Sequence, residues 1–108
     1  MTTDIHLLDE IKGTLGITNA EIAQIVGLEE AVIAGWCGHG IPESEEKRFA
    51  PLAYVAQFMR EWYVEEVIPE LVRKPLVELD GKSVLGMLAN DPERVIRYLS
   101  GLFYLTEF

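Results

Sequence analysis

The stretch that most restricts the possible folds of this chain runs from Phe49 to Val67. Wound as an α-helix, it places Phe49, Leu52, Val55, Ala56, Phe58, Met59, Trp62, Tyr63 and Val67 on one side. Gln57, Glu61 and Glu65 mark the wet side. The apolar side covers about half the cylinder, wider than the stripe of an ordinary surface helix. Such a helix must be packed from more than one direction. The spacing therefore predicts a central helix over 49–67, with elements before and after it that cover it.

The flanking text reads as helices too. Ile5, Leu8, Ile11 and Leu15 fall at helical spacing, with Thr3 or Asp4 as the cap and Gly16 as the stop. Thr18-Asn19-Ala20-Glu21 is a capping box. It opens a helix that buries Ile22, Ala23, Ile25 and Val26 and ends at Gly27. A third helix turns Leu28, Val32, Ile33 and Trp36 inward and stops in the stretch from Cys37 to Pro42. Ser44 is the expected cap of the next helix. Pro51 is expected to kink or restart it, and Pro69 to end the central helix. Residues 68–82 hold prolines and a glycine and read as an irregular connector. Ser83 then caps a short helix through Ala89. Asp91 and Pro92 start the last one, with Val95, Ile96, Leu99, Leu102 and Phe103 on its buried side. The fold class is all-α: an N-terminal module over 1–48, and a central helix leading into a small helical module over 49–108.

Ala23, Gly27 and Ile33 have the spacing of a helix-turn-helix. A small residue allows the two helices to cross, glycine makes the turn, and isoleucine locks the pair. With its inward Trp36, this part resembles the Xre-type helix-turn-helix. Reading bases needs arginine, asparagine or glutamine on the third helix. That helix offers Glu29, Glu30, Ala31, Ala34 and Gly35, and no lysine or arginine lies between Lys12 and Lys47. The remaining candidate donors to DNA are Asn19, Gln24, His39, Lys47 and Arg48. The first 50 residues hold nine acids and three bases, within a formal net charge of −9 for the chain. Such a surface repels phosphate backbones and anionic membranes and suits a basic protein partner. Weak DNA binding by the free protein is expected.

The remaining chemistry is sparse. One cysteine excludes an internal disulfide and fits a reducing, cytoplasmic setting. The first residues lack the pattern of a signal peptide, and no apolar run is long enough for a membrane span. Cys37 and His39, with His6 the only other histidine, are too few for a closed zinc site. The adjacent pairs Glu29-Glu30, Glu45-Glu46 and Glu65-Glu66 diverge on a helix and do not converge as catalytic carboxylates. No nucleophile motif, phosphate loop or dinucleotide fingerprint is present. No enzyme activity, cofactor or metal is expected.

The second half resembles the toxin-binding domain of the Xre/MbcA/ParS antitoxins. The resemblance is carried by Ala53-Tyr54-Val55-Ala56 and by Pro75, Leu76, Leu79, Gly81, Lys82, Ser83, Leu85, Leu88, Val95 and Leu99. That family also places a helix-turn-helix in front of this domain. The chain departs from the family pattern at Leu71, where tryptophan is common, and at Val84, where proline is. The resemblance implies an antitoxin of a type II toxin–antitoxin pair. Its partner would be a RES-like enzyme that acts on NAD, whose active site the antitoxin occludes, often with its own C-terminal segment. It also implies promoter binding by the complex; a homo-oligomer, a dimer, is expected as well. The alternative is an Xre-type helix-turn-helix transcriptional regulator. Candidate partner-facing residues are Arg73, Lys74, Lys82, Arg94, Arg97, Tyr104, Glu107 and Phe108. Arg94 and Arg97 share a helix face, and they either meet a partner or pair with Glu93, Asp91 or Glu70.

Overall fold

A computed structural model describes residues 7–37 and 39–106, with only the backbone described for 102–106. The expected cap at Thr3 or Asp4, Ile5, His6, Glu107 and Phe108 lie outside the described residues. So do the side chains of Leu102, Phe103 and Tyr104. The described chain is all-α, with no β-strand. Its helices are α1 (Leu7–Leu15), α2 (Asn19–Val26), α3 (Glu30–Trp36), α4 (Glu46–Trp62), α5 (Ile68–Leu71), α6 (Val84–Asn90) and α7 (Pro92–Thr106).

Local chemistry sets most of the helix ends. Gly16 takes φ +65°, closing α1 with a hydrogen bond from its N–H to the Lys12 carbonyl (2.8 Å). A methyl group at that position would lie 2.8 Å from Cγ of Pro69, so α5 presses directly on the end of α1. Both halves of the capping box form. The Glu21 N–H donates to Thr18 Oγ1 (3.2 Å), and the Thr18 N–H donates to the Glu21 carboxylate (3.0 Å). Gly27 closes α2 in the left-handed region at φ +76°. Ser83 accepts from the Gly86 N–H (3.0 Å) at the start of α6. Asp91 accepts from the Arg94 N–H (3.3 Å), with Pro92 opening α7.

A single core joins these elements. Leu8 and Ile11 of α1, Ile22 of α2, Ile33 of α3, Phe49 and Leu52 of α4, Ile68 of α5, Leu88 of α6 and Leu99 of α7 are all buried in it. α4 packs on α1 and α7, while α2 packs on α3 and α6, so helices far apart in sequence meet. Trp36 sits edge-on to Phe49, with ring centroids 6.1 Å apart. Tyr54 of α4 and Ser100 of α7 share a hydrogen bond (3.0 Å).

Several sequence expectations need correction. The central helix spans Glu46–Trp62 instead of 49–67. It runs through Pro51, forfeiting the one intrahelical bond to the Lys47 carbonyl. Ser44 does not cap it. That residue lies in a 3₁₀ turn, Glu43–Glu45, that feeds straight into the helix. At the far end Tyr63 is extended (φ −135°, ψ 154°). A second 3₁₀ turn, Glu65–Val67, then leads into α5. Pro69 therefore opens α5 and does not end α4. In the first turn its missing N–H costs nothing, whereas a helix continuing through residue 69 would lose a bond and clash one turn back. Trp62, Tyr63 and Val67, expected inward, are thus turned out. In α3, Ile33 is the fully buried residue and Val32 is exposed, because neighbours on a helix point about 100° apart.

Candidate protein-docking surface

The break after Trp62 leaves a run of apolar side chains at the surface. Trp62 and Tyr63 are each 40 % exposed, Val64 64 % and Val67 38 %. Four large apolar groups within six consecutive residues are left on the outside. Scattered exposed apolar residues are ordinary; a run of them beside a groove marks an interaction site. Phe58 stacks beneath Trp62 at 6.0 Å, so the indole rests on the core with its outer edge in solvent.

Two depressions adjoin this run. One, of about 590 Å³, is lined by Val67, Glu70, Leu71, Arg73 and Lys74. The other, of about 150 Å³, lies between α4, α5, α6 and α7 and is lined by Met59, Tyr63, Leu71, Lys74, Leu76, Val84, Tyr98 and Leu99. Leu71 and Lys74 line both, so the two depressions adjoin along a shared wall and together make a two-part groove. Burial raises the Tyr98 phenol above its ordinary value, and the charge of Glu78 and the neighbouring Tyr63 add to that rise.

The expected site residues divide into spent and available. Arg73 is spent inside the molecule. It donates to the carbonyls of Gly16 (2.7 Å), Pro69 (3.0 Å) and Leu15 (3.5 Å), and to both Glu21 carboxylate oxygens (2.9 and 3.1 Å). It fastens α5 to the α1–α2 loop. Arg94 is also spent: its ion pair is with Asp80, the charge of Asp91 adds to the hold, and it donates to the Glu78 carbonyl (3.2 Å). Asp80 takes the left-handed conformation (φ 59°) in a tight loop where Leu76 and Lys82 pair backbone to backbone. The hydrogen bond and charge of Arg94 hold the Asp80 carboxyl below its usual range. Lys74 stands at the groove, while Lys82 and Arg97 are exposed elsewhere.

The candidate DNA-binding residues are not gathered on one face of α3. Gln24, His39 and Lys47 are exposed, and Asn19 is half-buried beside the Cys37 thiol (3.7 Å). Arg48 pairs with Glu45 and donates to the Val26 carbonyl (3.2 Å) at the end of α2. The exposed positions of α3 are Glu30, Ala31, Val32, Ala34 and Gly35, which offer no side-chain donor. The sequence reading missed Tyr63, Val64, Val67, Leu71 and Tyr98 as surface-forming residues. The signal that could have found them is Pro69, since a helix ending several residues before it releases the preceding apolar run.

Neither a protein-family model nor a curated protein sequence matches the chain. No helix among the described residues is long and apolar enough to cross a membrane.

Proposed function

We propose that this chain is a non-enzymatic binding module, the antitoxin of a type II toxin–antitoxin pair. It would act by docking on a RES-like, NAD-directed toxin and occluding its active site. The observation that carries the reading is the exposed apolar run from Trp62 to Val67 beside its groove. This lies within the part of the chain that resembles the antitoxin toxin-binding domain. Arg73 and Arg94 hold the fold together in this account, and the apolar run makes the contact. Docking through the C-terminal residues Tyr104, Glu107 and Phe108 remains part of the proposal. Rings there would fill a nicotinamide or nucleotide pocket, and carboxylates would meet arginines that otherwise hold phosphate.

The regulator alternative has less support. The capping box and the Gly27 turn fit a helix-turn-helix, but α3 exposes an acid and small residues where base-reading donors are needed. The test is co-expression. The product of the adjacent gene is produced alone and with this chain, and growth and cellular NAD are followed. The proposal expects growth arrest and NAD loss from the neighbour alone, and recovery of both with this chain. A harmless neighbour, or one that this chain neither binds nor neutralises, would refute it.

A further inference from the structure

The groove at the end of α4 has a defined chemistry, and it fixes the kind of segment that fills it. Its narrow part is an apolar slot walled by Tyr63, Leu71, Leu76 and Tyr98, with room for one large side chain. Its wide part carries Val67 and Glu70. The surface around the groove is mostly acidic: Glu70 lines its wide part, Glu65 shares a neighbouring depression with Tyr63, Glu61 shares another with Trp62, and the charge of Glu78 reaches the Tyr98 hydroxyl. Against these acids stand Lys74, which lines both parts of the groove, and Arg60 in the depression beside Tyr63, since Arg73 is held by Glu21.

We propose that this groove receives a basic, amphipathic segment of a protein partner, one apolar side chain of which anchors in the slot between Tyr63 and Tyr98. The proposal rests on the docking-module reading above and specifies the chemistry of the partner's contact. Charge complementarity selects the occupant. A second copy of this chain would bring the same mostly acidic surface and another net charge of −9, and an anionic membrane would be repelled in the same way. A segment with apolar residues on one face and lysine or arginine flanking them satisfies both parts of the groove at once. This is the helix-in-groove mode, in which a few anchors carry the affinity and surrounding charges set the register.

The test uses three synthetic peptides with the full chain. The first has leucines at helical i, i+3, i+4, i+7 spacing and lysines elsewhere. The second replaces the lysines by glutamates. The third has the composition of the first, scrambled so that no apolar face forms. Amide chemical shifts of the ¹⁵N-labelled protein are followed during each titration. The proposal expects only the first peptide to bind, with shifts concentrated at Tyr63, Val67, Leu71 and Tyr98. It also expects Tyr63→Ser and Val67→Ser to weaken that binding about tenfold, as loss of an anchor contact does. Tyr63 is 40 % and Val67 38 % exposed, and each variant's melting temperature is checked beside the titration. Equal binding of the scrambled peptide, binding of the acidic one, or shifts centred elsewhere would overturn the proposal. Because no toxin enters this experiment, its outcome is separable from the antitoxin reading. Peptide binding with failed neutralisation keeps the groove and removes the toxin. Neutralisation that survives both substitutions keeps the toxin and removes the groove.

Discussion

Phe49 and Trp62 stand near opposite ends of α4 and answer differently to truncation. Phe49 is fully buried and meets Trp36 edge-on, so Phe49→Ala should cost about 3–5 kcal/mol. Trp62 keeps its outer edge in solvent, and Trp62→Ala should cost roughly 1 kcal/mol, within the range of a partly exposed contact. Urea unfolding of the two variants checks this, and equal losses would contradict the placement of Trp62. Gly16 is sensitive for another reason. A side chain there meets both the left-handed backbone and Pro69, so Gly16→Ala should destabilise by about 2 kcal/mol or more. Asp80 supplies a pH signature. Its carboxyl is held low in the folded chain by Arg94, so its contribution is present above the unfolded pKa of about 3.9. That contribution is lost as pH falls through the folded value. Asp80→Asn tolerates the same left-handed backbone. Its stability should therefore fall below that of the parent at neutral pH, and the two should converge in strong acid. A gap that persists in acid would rule out the ion pair as its cause.

Elements differ in how far the sequence fixes them. Thr18, Gly27, Ser83 and Asp91 act within a few residues of themselves, and each stands where its local pattern predicts. The ends of α4 do not follow from local pattern. The periodicity from Phe49 continues past Trp62, yet the helix stops, because Pro69 needs a fresh first turn and α5 must pack on Gly16. The demand of the proline is local, but the packing on Gly16 is tertiary. The partners of Arg73 and Arg94 were hidden for the same reason: Glu21 is far from Arg73 in sequence, and Asp80 meets Arg94 only because the connector folds into a tight loop. The candidate site was therefore half legible. The resemblance pointed to Arg73, Lys74 and the C-terminal residues of the second half, while the exposed run from Trp62 to Val67 was read as core. The C-terminal segment gives a prediction at this scale. The backbone of α7 is helical through Thr106. Deleting residues 104–108 should leave the melting temperature within a few degrees and weaken toxin inhibition. A large drop in melting temperature would make the segment part of the core instead, and undiminished inhibition would remove it from the mechanism.

At the scale of the whole molecule, one core is wrapped by an acidic surface that is interrupted at the end of α4 by apolar side chains. Backbone phosphate contacts dominate affinity for DNA, and this surface repels them. The free protein should therefore bind its own promoter no more tightly than an unrelated duplex at physiological salt. Specific nanomolar binding in a gel-shift titration would contradict that. The central claim is that the apolar run from Trp62 to Val67 is the contact through which the chain holds its toxin. The direct measurement is calorimetric titration of the purified toxin into the parent chain and into the Tyr63→Ser/Val67→Ser double variant, each checked for melting temperature. The account predicts a melting temperature lowered by no more than several degrees and an affinity lowered about a hundredfold, the scale on which losing two anchors acts. Full affinity in the double variant would contradict it.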